Sequence, residues 1–158
     1  MQRITPFLWF NNQAEEAVKF YTSIFKNSKT FAVTRYPKGT PGPAGTVMTV
    51  KFQLDGQSFI ALNGGPIFKF TEAVSFVVNC KTQKEIDYYW KKLSAGAKEV
   101  QCGWLKDKFG LSWQIVPTIL AELLADKDPA KGERVMHALL KMVKLDIKKL
   151  KRAAKRNK

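Results

Sequence analysis

Apolar residues run together from Ile4 to Phe10, a β-branched and aromatic stretch that predicts a strand. The period then changes. In "NQAEEAVKFYTSIF", Ala14, Ala17, Val18, Tyr21, Ile24 and Phe25 recur at helical spacing, with Glu15 and Glu16 in the first turn, where carboxylates suit the helix dipole. An amphipathic helix capped near Asn12 is the expectation. Strands follow at 30–36, 47–54 and 58–62. The loop "PKGTPGPAGT" separates the first two, and the turn dipeptide Asp55-Gly56 separates the last two.

The same order of elements then returns. A strand is predicted at 73–80, a helix in "TQKEIDYYWKKLSAG" ending at Gly96, and strands at 99–102, 104–106 and 111–116. The helices align at an offset of 69, pairing Ala17 with Ile86, Phe20 with Tyr89, Tyr21 with Trp90 and Ile24 with Leu93. The last strands align at an offset of 54, pairing Gly56, Ser58 and Phe59 with Gly110, Ser112 and Trp113. Together these matches indicate a tandem βαβββ duplication within an α+β domain. After Pro117 the pattern is helical, with a break at Asp128-Pro129, then Val135, Met136, Leu139, Leu140 and Val143 on one face. A closing basic segment carries a thin apolar stripe of Ile147, Leu150 and Ala154. The reading is one domain over 1–158, with modules at about 1–66 and 67–117 and a helical extension at 118–158.

Composition alters this picture mainly through charge. Nine basic residues between Lys141 and Lys158 face a single acid, Asp146, so this segment supplies +8 of the formal +14. Lys148, Lys149, Lys151, Arg152, Lys155 and Arg156 form an electrostatic footprint for nonspecific polyanion attraction, nucleic acid included. No apolar run approaches the roughly 20 residues that span a bilayer, so no membrane partner is expected. The start "MQRITPFLWF" enters a strand without a charged-then-apolar leader, which makes the cytoplasm the expected address. Cys80 and Cys102 are read as reduced strand thiols. His137, with Glu133 one turn earlier, reads as a surface helix residue, and Gly64-Gly65 as a turn between the modules.

The stretches "ITPFLWFNNQAEEAVKFYTSIFKNS", "LNGGPIFKFTEAVSFVV" and "QCGWLKDKFGLSWQIVP" resemble the PhnB-like branch of the glyoxalase/bleomycin-resistance (vicinal oxygen chelate) superfamily, often labelled a 3-demethylubiquinone 3-methyltransferase domain. The resemblance covers roughly Ile4 to Ala154. It implies a curled mixed sheet around a shared cavity, helices on the convex side, and a homodimer, for which loop 37–45 and the C-terminal helices are the candidate contact surfaces. Metal-using relatives take two His and two Glu from four strands, and the matching positions here are Thr5, Ile60, Ser75 and Gln114. Hydroxyl and amide oxygens alone bind a divalent ion weakly, so no metal and no cofactor are expected.

Methyl transfer is not expected either, because "NNQAEEA" after the first strand lacks the glycines that let backbone approach a nucleotide-like cofactor. Strand alternation turns Ser112, Gln114 and Val116 to one face and Leu111, Trp113 and Ile115 to the helices. A metal-independent cavity for a small organic ligand, lined by Thr5, Phe7, Trp9, Ser75, Trp104 and Gln114, is the leading reading. Two alternatives stand beside it: an enzyme in which Gln114 and Ser75 orient a substrate, and polyanion binding through the tail.

Overall fold

The computed structural model describes residues 2–155. It comprises two compact units, one up to Phe70 and one from Thr71 onward. The first contains β1 (Phe7–Phe10), α1 (Ala14–Ile24), β2 (Lys29–Arg35), β3 (Val47–Leu54) and β4 (Gln57–Asn63). The second contains β5 (Ser75–Cys80), α2 (Gln83–Leu93), β6 (Lys98–Glu99), β7 (Trp104–Lys106) and β8 (Ser112–Pro117), followed by α3 (Ile119–Leu124), α4 (Pro129–Leu140) and α5 (Ile147–Ala154). The fold is thus α+β with the βαβββ order repeated. Hydrogen bonding gives each unit its own four-stranded mixed sheet, ordered β1-β4-β3-β2 and β5-β8-β7-β6.

In both sheets the first strand of the unit lies parallel to the last, and the remaining pairs are antiparallel. The registers also correspond: Phe7 lies opposite Ile60, and Val77 lies opposite Gln114. Ile60 and Gln114 are the residues related by the sequence offset of 54.

In the first unit, Leu8, Phe10, Val50, Phe52, Phe59 and Ala61 are buried, as are Ala14, Ala17, Val18, Tyr21 and Ile24 of α1. Asp55 and Gly56 both adopt positive φ, 46° and 85°, the geometry that a two-residue hairpin turn requires. The cap of α1 differs from expectation. Gln13, not Asn12, is the N-cap residue and makes no side-chain capping bond. Asn63 at the end of β4 fills the role, its Oδ1 accepting from the Ala14 N–H at 2.8 Å. A cap supplied from 49 residues away is invisible to a reading of local sequence.

In the second unit, α2 begins with a capping box in which Thr82 accepts from the Glu85 N–H while the Glu85 carboxylate accepts from the Thr82 N–H. Its buried Ile86, Trp90 and Leu93 lie over the sheet side that holds Val78, Cys80, Trp113 and Ile115. Cys102 is not in a strand, since β6 ends at Glu99. It occupies a turn with φ 61°, and the N–H groups of Cys102 and Gly103 donate to Met142 and Val143 carbonyls at 2.8 Å. A Cβ on Gly103 would lie 2.9 Å from the Ile115 carbonyl oxygen, so glycine is required there.

The helical extension has its own core of Leu120, Leu123, Val135, Leu139, Met142, Leu145 and Leu150. Only part of the predicted α4 stripe is buried. Met136, Leu140 and Val143 are exposed, and Val143 lies past the end of the helix. Asp128 caps α4 through the Ala130 N–H, with Pro129 at its first position. The basic segment forms a separate helix, α5, capped by Asp146. Arg156 and Lys158 lie outside the described residues.

Asp107 governs the β7–β8 connection. It is 4% exposed, and its carboxylate accepts from the N–H groups of Phe109 and Leu111 and from Trp113 Nε1 at 2.8 to 3.0 Å. Replacing it with alanine strands several donors in a buried site, so Asp107→Ala is expected to cost about 3 kcal/mol in urea unfolding, against about 1 kcal/mol for the exposed cap variant Asp128→Ala. Burial pushes the Cys80 thiol up to about 12. Its proton is therefore held in the folded state while the unfolded thiol ionises, so Cys80 should stay unalkylated by iodoacetamide at pH 8 until denaturant is added. Its contribution to stability should be lost as pH rises from about 9 towards 12.

Candidate functional site

The pleat of the second sheet sorts its side chains cleanly. Phe76, Val78 and Cys80 of β5 share a side with Trp113 and Ile115 of β8, whereas Ser75, Val77 and Asn79 share the other with Ser112, Gln114 and Val116. Trp104 of β7 pairs with Gln114, and Lys106 with Ser112, so both belong to this second face. The face assignments made from alternation therefore hold, with Trp113 in the core.

Ser75, Trp104 and Gln114 are brought together here. Gln114 Nε2 donates to Ser75 Oγ at 2.9 Å, across the parallel β5–β8 pair, and Trp104 stands on the opposite flank of Gln114. Ser112 lies between Ser75 and Lys106, 1% exposed, and its hydroxyl has no hydrogen-bond partner among the described residues. Lys106 Nζ meets Glu72 at 2.5 Å, and this contact holds the Glu72 carboxyl below its ordinary range. The face thus presents an indole, an amide and the Ser75 hydroxyl, with one ion pair at its edge, while the Ser112 hydroxyl is buried. Such groups orient a ligand by stacking and hydrogen bonding and supply no free carboxylate or imidazole.

The corresponding face of the first sheet is apolar along β1 and β4. Phe7 and Trp9 of β1 align with Ile60 and Leu62 of β4, and Phe7 is 55% exposed. Thr5 precedes β1, which begins three residues later than the apolar run suggests. Trp9 is committed locally: its Nε1 donates to the Gly65 carbonyl at 2.9 Å, and its ring meets Phe68 edge-on at 4.9 Å. A Cβ on Gly64 would lie 2.3 Å from that indole, which explains the first glycine of "LNGGP".

A feature not read from the sequence is a cavity of about 450 Å³ in the first unit, walled by Asn11, Asn12, Glu15, Tyr36, Pro43 and Asn63 among others. Its polar groups engage one another. Tyr36 donates to the Asn63 carbonyl at 2.5 Å, and Asn63 Nδ2 donates to Glu15 at 2.7 Å. The proline and glycine composition of 37–46 was the only signal, and composition does not say where a loop lies. His137 is exposed on α4, and among the described residues no three His, Cys, Asp or Glu side chains cluster as a metal site would need.

A family model for 3-demethylubiquinone-9 3-methyltransferase matches residues 2–116. A PhnB protein of Bacillus cereus, solved under the same methyltransferase name, is 39% identical, with 74% of this chain and 100% of that chain covered and a TM-score of 0.68. A Pseudomonas aeruginosa protein shares the fold at 19% identity, covering 74% of this chain and 98% of its own, with a TM-score of 0.61. So does the fosfomycin resistance protein FosX of Listeria monocytogenes complexed with manganese(II) and sulfate, at 13% identity, 73% and 89% coverage and a TM-score of 0.51. A comparison with curated protein sequences finds no match. The family match stops within β8, short of the reach to Ala154 suggested by the sequence, so α3, α4 and α5 extend beyond it. By the family match and the fold together, the chain belongs to the 3-demethylubiquinone-9 3-methyltransferase (PhnB-like) family of the glyoxalase/bleomycin-resistance superfamily.

Proposed function

We propose that this chain is a cytoplasmic small-molecule-binding protein that works without a metal. The observation that carries the reading is the Gln114–Ser75 hydrogen bond. Two positions where metal-using relatives place ligating side chains are here occupied by an amide and a hydroxyl that bond to each other. A third, Ile60, offers only hydrocarbon. This donor set does not fit a divalent ion, which needs several anionic or imidazole ligands at fixed distances.

What the face does suit is a flat or amphiphilic organic molecule, stacked on Trp104 and oriented by Gln114, with the Ser75 hydroxyl beside it. Thr5, Phe7 and Trp9 are the corresponding candidates in the first unit. Turnover forms no part of the reading. Glu72 is bound to Lys106, and Asp107 is enclosed beneath the hairpin, so neither stands ready as a general acid or base. Methyl transfer is equally unsupported, because Asn11, Asn12 and Gln13 connect β1 to α1 without a glycine and the sheets are not doubly wound. The protein acts as a homodimer in this reading, as the family resemblance implies.

Native mass spectrometry of the purified protein, before and after mild denaturation, tests the proposal. An organic adduct without metal is the expected result, lost in the Trp104→Ala, Gln114→Ala double variant. A stoichiometric metal ion would overturn it. Sedimentation velocity at micromolar concentration should give a dimer, and a monomer there would remove the dimeric part of the reading.

A further inference from the structure

We propose that the outward face of α5 is a docking surface for the phosphate backbone of duplex nucleic acid. Leu150 is fully buried against the extension's core, with Ala154 packed at its edge. The other side carries Lys148, Lys149, Lys151 and Arg152, continued by Lys155 at the C-cap, all exposed. At 3.6 residues per turn, Lys148, Lys151 and Arg152 fall within about a third of the helix circumference. Among the described residues none of these five cations forms an ion pair.

The helix is fixed at both ends before any partner arrives. Asp146 accepts from the Lys149 N–H at 2.9 Å, and Gln83 Oε1 accepts from the Ile147 N–H at 2.9 Å. At the far end the Arg134 guanidinium donates to the Ala153 and Ala154 carbonyls at 3.2 and 3.3 Å. Two acids near the helix start are spent elsewhere: Asp146 on this cap, and Asp87 on Lys144. Because the helix backbone is already held, binding has only the exposed side chains left to order.

Three features select the partner. The apolar side of α5 is already covered, so the helix has nothing to insert into a lipid surface. Residues 141–158 contain no Phe, Tyr or Trp, so the segment itself offers unpaired bases no aromatic ring to stack on. Long lysine and arginine stems on one helical face suit a repeating line of phosphates read without regard to sequence. The surface also lies outside the residues matched by the family model, so it adds a property to the domain without using the sheet face.

The test uses the full chain and a fluorescein-labelled DNA duplex of about 20 base pairs, with anisotropy titrations across a series of potassium chloride concentrations. Four phosphate contacts, from Lys148, Lys151, Arg152 and Lys155, give a slope of log affinity against log salt of about −3.6, or roughly tenfold weakening for each doubling of salt. The variant Lys148→Gln, Lys151→Gln, Arg152→Gln, Lys155→Gln should keep its helical circular dichroism, lose most of that slope, and bind at least about 50-fold more weakly near 100 mM salt. Unchanged affinity and slope in the variant would overturn the proposal. So would tighter binding to a single strand of equal length, or displacement of the duplex by phosphatidylglycerol vesicles at equal charge.

Discussion

Pairing the first strand of each unit with its last is the constraint from which the other features follow. Parallel strands cannot be joined by a tight turn, so β1 must reach its neighbour β4, and β5 its neighbour β8, through a helix and two further strands. The helix covers one side of the sheet and buries Phe52 and Phe59 in one unit and Trp113 and Ile115 in the other. The remaining side is only partly packed: Val116 joins the helical extension's core and Ser112 is buried, while Ser75, Trp104 and Gln114 stay half-buried. Ser75, Trp104 and Gln114 on that side are therefore free to differ from an apolar pattern, and this freedom makes the face a candidate site.

The connection between β7 and β8 shows how few polar contacts hold such a face in place. Asp107 gathers two backbone N–H groups and the Trp113 indole, which fixes the hairpin register and, through alternation, the direction of Gln114. One turn earlier, Cys102 and Gly103 donate their N–H groups to the segment after α4. The helical extension is thereby tied to the same hairpin that carries Trp104. Asn63 does comparable work in the first unit, joining the end of β4 to the start of α1, to Glu15 and to the Val47 carbonyl.

Much of this was legible in the residues. The period change after Phe10, the Asp55-Gly56 turn and the matched offsets of 69 and 54 identified the duplication, and alternation placed Trp113 towards the helices and Gln114 on the opposite face. Periodicity failed where its premise failed. Thr5 lies in an apolar run without being in β1, because a strand needs a paired neighbour as well as suitable residues. Cys102 resembles a strand residue but adopts positive φ, since its N–H is claimed by a carbonyl 40 positions away. Met136, Leu140 and Val143 fit a helical stripe yet stay exposed, because the short extension covers only the arc through Val135 and Leu139.

By itself the sequence determined the order of elements, the repeat, the face of each β8 residue, and the concentration of positive charge after Lys141. Those properties depend on local period and residue chemistry, which a linear reading contains. Only the tertiary structure decided that Gln114 bonds to Ser75, that Asn63 caps a helix 49 residues earlier, that Asp107 is enclosed, and that the cations of α5 point away from a covered apolar side. Each of these joins groups far apart in the chain. Their meeting depends on register and packing, and no spacing within one segment encodes either.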